Sequence, residues 1–414
     1  MEYGLIGSKL THSFSKYLHE EFLNTKYELK SINIDELDLF FKEKDFKGIN
    51  VTIPYKKEVI KYLDEVDDIV KRTNTCNCII NKNNKLIGYN TDYYGFKFLI
   101  EENDIIIENR KIAILGSGGT FLTIKALMKD LNAKEVYCIS RTKKEDTYTY
   151  EELYDLGIDV LINATPVGMY PENYESNINL DRFNDLKVVI DVIFNPLRTK
   201  LVLDAKKRGI KAVGGLEMLV FQGVKANELF LNKSYSYEEI RSIYFDMNVN
   251  KFNIVLIGMP MSGKTTLGKM LASAFNKEFI DIDKEIVKKE NMSINEIFET
   301  KGEEYFRKIE KEFYKEYAKK NGLIISTGGG IVKNIESINR LKENGMVIFI
   351  DRKVEKMIIN NKRPLSKSKE DIIKLYNERY NLYLKHSDKR ITNNGSKKRA
   401  VIYMVEAFYE YISH

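Results

Sequence analysis

The stretch "LIGMPMSGKTTLGKML", which starts at Leu256, constrains this chain more than any other. It holds the pattern G-x-x-x-x-G-K-T between an apolar run and an amphipathic one. Glycines at 258 and 263 let backbone N–H groups wrap a string of phosphates, Lys264 reaches the outer phosphates, and Thr265 offers an oxygen to Mg²⁺. Met261, Ser262 and Thr266 belong to the same cradle. Such a loop has to sit between a parallel strand and a helix, so an α/β layer that binds ATP or GTP is expected from Phe252 onward.

Residues 1–251 come before it, and 414 residues are too many for one ordinary core. That first part carries its own glycine loop, "ILGSGGT", from Ile114. Gly116, Ser117, Gly118 and Gly119 follow a strand-like run and open a helix-like one, which suits a dinucleotide pyrophosphate at a helix N-terminus. Phe121 replaces the third glycine of the usual fingerprint. The next strand candidate ends in Ser140, Arg141, Thr142, Lys143 and Lys144, where an NAD site would carry an acid. Hydroxyls and cations there suit a 2′-phosphate, so the reading is NADP(H); the alternative is a solvated basic turn.

The strand candidates "KIAILG", "EVYCISR", "DVLINAT", "VVIDVI" and "IKAVGG" alternate with helical runs, as do "FNIVLIG", "FIDID", "LIISTGG" and "MVIFID" in the second part. Strict alternation means parallel sheets. The expected order is a substrate lobe at 1–103 completed by helical residues 216–247, a Rossmann lobe at 104–215, a short joint "NVNK" at 248–251, and a P-loop domain at 252–414. "KKEVIKYLDEVDDIVKRT" reads as one helix.

Composition narrows the function class. Hydrophobic residues make up 43% and charged ones 30%, which fits a folded globular chain. A net charge of +6 is spread without a basic block, so no nucleic-acid partner is expected, and small anionic substrates are. No apolar run is long enough to span a membrane, and the opening "MEYGLIGSKLTHS" does not read as a secretory signal. Three cysteines, Cys76, Cys78 and Cys138, suit a reducing cytoplasm better than a disulfide framework. With four histidines, His-based metal or triad chemistry has little material.

Lys56 follows "GINVTIPY", and Asp92 ends "GYNTD". A Lys beside an Asp can move a proton at an alcohol oxygen, though spacing alone does not show that these two meet. The strings "GLIGSKLTHSFSKYLH", "GINVTIPYK", "GYNTDYYG", "ILGSGGT", "INATPVGM", "DVIFNPLRT" and "GGLEMLVFQG", in this order, make residues 1–247 resemble shikimate dehydrogenase. The resemblance implies that Ser13 and Ser15 hold the substrate carboxylate. It implies that Asn50, Thr52, Asn74 and Gln222 bind ring hydroxyls, that Lys56 and Asp92 are the catalytic pair, and that Thr165, Gly215 and Met218 join the cofactor site. Three departures stand out: Phe194 where that family has Tyr, Lys71 and Arg72 where it has small residues, and Ser140 where it often has Asn.

In the second part, "FIDID", "IFETKGEEYFRKIE", "ISTGGGIV", "KRPLS" and "NERYNLY" resemble shikimate kinase over 252–414. That resemblance implies Asp283 at the acceptor hydroxyl, Asp281 with Thr265 at Mg²⁺, and Arg307, Arg379, Gly328, Gly329 and Gly330 on shikimate. It also implies Arg363 on a lid over the phosphates. The two resemblances together imply consecutive reactions. NADPH reduces 3-dehydroshikimate to shikimate, and ATP then phosphorylates it to shikimate 3-phosphate, as in aromatic amino acid (chorismate) biosynthesis. Two alternatives are a quinate dehydrogenase or one with relaxed cofactor use, and a chain with one catalytically silent half. The oligomeric state is left open.

Overall fold

A computed structural model describes residues 1–10, 13–171, 173, 176–357 and 368–413. The chain forms two compact units, Met1–Tyr244 and Phe245–His414.

The first unit holds two sheets. One is mixed, with strands in the order Glu28–Ser31, Tyr3–Gly7, Gly48–Val51, Cys78–Lys82, Lys85–Tyr89 and Glu65–Val66. Its hairpin turns at Asn83 and Asn84, both at positive φ, which asparagine tolerates. The other is fully parallel, in the order Lys211–Val213, Val188–Asp191, Val160–Asn163, Lys111–Leu115 and Glu135–Ile139. These are the five strands expected from the alternating apolar runs. Their inner residues are buried on both faces, with Ile112, Ile114, Ile162 and Ile190 on one side and Ala113, Leu115, Leu161 and Val189 on the other.

The run 56–73 is not one helix. It divides into a 3₁₀ turn Glu58–Tyr62, the short strand Glu65–Val66, and the helix Asp68–Thr73. Asp67 causes the break, because its side chain accepts from the Val70 N–H and starts a new helix. Residues 216–246 likewise form two helices, Leu216–Leu231 and Tyr237–Lys251, separated after Asn232 at φ 49. The joint expected at 248–251 is the last turn of the second helix, where Met247 and Asn248 are buried and Phe245 stacks on Tyr409. Burial on that scale holds a helix where composition alone suggests a loop.

The second unit is built on a parallel sheet in the order Glu278–Asp281, Leu323–Ser326, Asn253–Ile257, Gly345–Asp351 and Lys389–Thr392. The last strand was not expected. It is a short edge strand in which only Ile391 is buried. Among the described residues no helix is long and apolar enough to cross a membrane.

Asp191 ends a central strand with no exposed surface. It accepts from Thr199 Oγ1 at 2.6 Å, the Ile193 N–H at 3.1 Å and Asn163 Nδ2 at 3.0 Å. Burial outweighs these bonds and pushes its carboxyl from the ordinary 3.8 up to about 6. The folded value exceeds the unfolded one, so this stabilisation is present below about pH 4 and is lost as pH rises through about 6. Asp191→Asn keeps the shape and removes a charge whose burial costs on the order of 3 kcal/mol at neutral pH. Thermal unfolding should give the variant a higher midpoint than the parent at pH 7, with the gap closing near pH 4. A lower midpoint at pH 7 would show that the three bonds outweigh burial.

Candidate functional site

In the first unit, Lys56 Nζ and Asp92 Oδ2 are 2.5 Å apart, with side chains 17% and 10% exposed. Asp92 lies in the first turn of the helix Thr91–Glu102, which Asn90 caps through the Tyr93 N–H. Asn77 fixes the carboxylate: its Nδ2 donates to Asp92 Oδ1 at 2.9 Å, and its Oδ1 accepts from the Thr91 N–H at 2.7 Å. With one oxygen on Asn77 and the other on Lys56, Asp92 holds the ammonium at the cleft.

Of the expected substrate ligands, Asn50 and Gln222 are bonded to the residues that hold this pair. Asn50 accepts from buried Tyr27 at 2.7 Å and donates to the Asn77 carbonyl at 3.2 Å. Gln222 stands 3.4 Å from Thr91 Oγ1 and donates to the Leu219 carbonyl. Asn74 is exposed at φ 51, ending the helix Asp68–Thr73. Thr52 is tied by its N–H to the Ile6 carbonyl. Ser13 caps a short helix by accepting from the Ser15 N–H, and the ring of Phe14 between them lies 5.5 Å from that of Phe194.

The glycine loop comes up against the same place. Gly116 is at φ 100, and Gly118 starts the helix Gly119–Asp130 with no side-chain cap, which leaves its first N–H groups to a phosphate. A Cβ on Gly118 would meet open space, room for a ligand. A Cβ on Gly119 would come within 3.2 Å of Thr75 Cγ2 and 3.8 Å of Lys56 Cβ, so the glycine loop adjoins the Lys56–Asp92 pair. A Cβ on Gly116 would stand 3.1 Å from Thr165 Cγ2, placing Thr165 at the loop. Phe121 is buried in the core, as is Met218. Gly215 is pressed on the Val192 carbonyl, where no side chain fits. At the basic turn Arg141 and Thr142 are exposed and Ser140 is half-buried, whereas Lys143 is held by both oxygens of Glu152 at 2.7 and 2.8 Å. Ser117 is exposed beside the loop.

In the second unit, Gly258, Met261 and Gly263 bend the phosphate loop at φ 147, 64 and 99. Lys264 is buried, and its Nζ donates to the Gly258 and Met259 carbonyls at 2.9 and 3.0 Å. Thr265 Oγ1 donates to Asp281 Oδ2 at 2.7 Å, while Thr266 follows in the same first turn. Two hard oxygens side by side fit Mg²⁺, which takes one or two protein oxygens and completes its shell with water and phosphate. Ser262 is fully buried.

Facing this loop, Gly328, Gly329 and Gly330 make a floor that side chains press from every direction. A Cβ on Gly328 would collide with Glu310 and stand 3.1 Å from Asp283 Oδ1. One on Gly330 would strike Arg307, and one on Gly329 would strike Pro260. Arg379 and Tyr383 both donate to the Gly329 carbonyl, at 3.0 and 2.6 Å. Arg307 is paired with Glu310 at 2.8 Å and Glu303 at 3.0 Å. Burial pushes the Glu310 carboxyl up, while Arg307 opposes the shift. Arg363 lies outside the described residues.

Three residues escaped the sequence reading. Asn77 sits in a run of polar residues with no spacing signal. Glu310, legible in the sequence beside Arg307 in "IFETKGEEYFRKIE", pairs with it three positions on along one helix. Asn393 donates to the Ser262 carbonyl at 2.8 Å, and Arg352 stands 4.0 Å from where a Gly263 Cβ would be; both follow sheet strands at the phosphate loop.

Fold and geometry define a two-part α/β enzyme with a dinucleotide site and a separate nucleotide-phosphate site. Residues 5–79 match the family model of the shikimate dehydrogenase substrate binding domain, and residues 260–410 match that of shikimate kinase. The shikimate dehydrogenase (NADP(+)) of Clostridium beijerinckii is 38% identical over 245 residues, which are 55% of this chain and 91% of that protein. A chorismate mutase/shikimate 5-dehydrogenase fusion protein from Clostridium acetobutylicum is 34% identical, with a TM-score of 0.55 over 58% of this chain and 95% of that one. Shikimate dehydrogenase 1 from Peptoclostridium difficile is 33% identical, with a TM-score of 0.56 over 60% of this chain and 98% of that one. The chain belongs to the shikimate dehydrogenase family and carries a shikimate kinase domain after it.

Proposed function

We propose that this chain carries out two successive reactions: reduction of 3-dehydroshikimate to shikimate with NADPH, and Mg²⁺-dependent phosphorylation of shikimate by ATP to shikimate 3-phosphate, within aromatic amino acid biosynthesis in the cytoplasm. The reductive part comprises 1–103 with 216–247 and the nucleotide lobe 104–215, and the kinase part is 252–414. The observation that supports the reading is that each unit holds a carboxylate beside a glycine loop: Asp92 is paired with Lys56, which lies next to Gly119, and Asp283 lies next to Gly328.

Bound NADPH supplies the hydride. Lys56 gives a proton to the oxygen that becomes the alcohol, Asp92 holds that ammonium in place, and the amine regains its proton from solvent. Asn50, Thr52, Asn74 and Gln222 offer amides and a hydroxyl to the ring, and Ser13 and Ser15 offer hydroxyls to the carboxylate. This is neutral hydrogen bonding suited to a small polyol acid. In the kinase part, bound ATP supplies the phosphoryl group and Thr265 with Asp281 would hold its Mg²⁺. Lys264 turns from the loop carbonyls to the phosphates, Asp283 takes the acceptor proton, and Arg307 and Arg379 face the substrate carboxylate. The test is direct: the pure chain, given 3-dehydroshikimate, NADPH and MgATP, should form shikimate 3-phosphate. Absence of either product under these conditions overturns that half of the reading.

The Lys143–Glu152 pair supports a second reading with relaxed cofactor use, because one cation of the basic turn is already neutralised. Arg141→Asp separates the two. On the NADP reading the variant should lose at least tenfold in KM for NADPH and little for NADH, since one charge-assisted contact is worth about 1.5–3 kcal/mol. Equal loss for both coenzymes would favour the relaxed reading.

A further inference from the structure

The substrate lobe and the nucleotide lobe of the first unit touch at several places, two of which involve the helix Gly119–Asp130. One is buried: Asn90 Nδ2 donates to Thr123 Oγ1 at 2.9 Å, and Thr75 Oγ1 lies 3.2 Å from the same hydroxyl. The other is at the surface. Arg72, next to last in the helix Asp68–Thr73, makes two parallel bonds of 2.8 Å to the carboxylate of Asp130, the last residue of the helix Gly119–Asp130. Tyr93 Oη, on the helix that carries Asp92, donates to the same carboxylate at 2.6 Å, and the guanidinium lies 5.9 Å from the Tyr93 ring.

We propose that Arg72, Asp130 and Tyr93 form an interlobe clasp, a set of positioning residues that holds the cofactor helix in register with Lys56 and Asp92. The proposal rests on the reductive reading above. Two helices, Asp68–Thr73 through Arg72 and Thr91–Glu102 through Tyr93 in its first turn, meet the carboxylate that ends the third, Gly119–Asp130. The segment after Arg72 leads into Asn74 and Thr75, Tyr93 is the neighbour of Asp92, and Asp130 terminates the helix whose first residue, Gly119, abuts Lys56. A fork of two bonds fixes angle as well as distance, which a lone ammonium would not. Arg72 stands where the resemblance implies a small residue. The Arg72 and Asp130 side chains are 46% and 33% exposed, so the clasp is reversible, as a cleft that must admit a coenzyme requires. Arg72 holds the Asp130 carboxyl below its usual range, and burial with the Asp130 bond raises Tyr93 to about 12, so all three keep these roles at neutral pH.

The test uses the full chain. Small displacements of reacting groups cost rate more than affinity, so Arg72→Ala should lower kcat for reduction by about tenfold, with KM for 3-dehydroshikimate changed less than twofold. Raising salt from 0.1 to 1 M should bring the parent toward the variant, since exposed pairs are screened, and leave the variant unmoved. The double variant Arg72→Asp/Asp130→Arg should recover at least half of the lost rate. Amide hydrogen exchange supplies a readout that needs no turnover: in Arg72→Ala, residues 122–130, whose N–H groups are bonded within the helix, should lose protection while the phosphate loop of the second unit does not. Unchanged kcat, failure of the exchanged pair to rescue, or unchanged exchange at 122–130 would each overturn the clasp. If the parent itself did not reduce 3-dehydroshikimate, the reductive reading would fall, and hydrogen exchange would still decide the clasp.

Discussion

Lys56→Ala should reduce NADPH-dependent formation of shikimate by roughly 10²–10⁴-fold, the usual worth of a positioned general acid. The geometry makes the loss specific. Lys56 lies 2.5 Å from Asp92, and among the described residues no other ammonium is bonded to that carboxylate, whose second oxygen is taken by Asn77. Removing the amine leaves Asp92 without its counter-charge at a cleft it only partly shares with water, so Lys56→Met, which keeps the stem, is the companion variant. Both should bind NADPH within a few-fold of the parent, because Gly119 meets the Cβ and Cδ of Lys56 and not its charge. Phosphorylation of added shikimate should be unchanged, since it depends on the second compact unit. Steady-state rates of each half-reaction on one preparation check all of this. Reduction that survives in both variants would remove Lys56 from proton transfer.

The parts of this molecule that were legible in the sequence are those where chemistry demands residues at a fixed short spacing. Gly258, Gly263 and Lys264 fall into that class, because a backbone that wraps phosphates has few alternatives. The buried parallel strands were legible too, since both faces are covered and the runs are apolar throughout. The pairing of Lys56 with Asp92 was not, because 36 residues and three strands separate them; resemblance suggested it and the fold brings the atoms together. The helices were misjudged where a single side chain or burial decides. Asp67 breaks the run 56–73 by capping, and the packed Phe245 and Met247 keep 248–251 helical. The strand Lys389–Thr392 is short and polar on one face, so its pattern was silent, and with it went Asn393, which reaches the phosphate loop from its end. Arg72 shows the reverse case. It was visible as an odd residue in the sequence, but Asp130, 58 positions away, gives it a meaning only in the fold.

The second large effect is expected at Lys264. Lys264→Ala should lower phosphorylation of shikimate by roughly 10³-fold, the scale of removing one preorganised charge from a transferring phosphoryl group. The lysine is 6% exposed, and its amine donates to the Gly258 and Met259 carbonyls. Nucleotide phosphates offer a stronger, anionic partner in the same reach, and the amine exchanges two neutral acceptors for charged ones. Truncation therefore removes attraction in the bound state and also leaves two loop carbonyls short of a donor, which loosens the turn held at φ 147 and 99 by Gly258 and Gly263. Lys264→Met separates the two effects, since it fills the buried channel without a charge. If charge dominates, both variants fall together in kcat and keep a cooperative thermal transition. If the turn dominates, Lys264→Met retains substantially more activity than Lys264→Ala. Reduction of 3-dehydroshikimate should be untouched in both. Phosphorylation within tenfold of the parent in both variants would mean that this loop is not where the transferred phosphate sits.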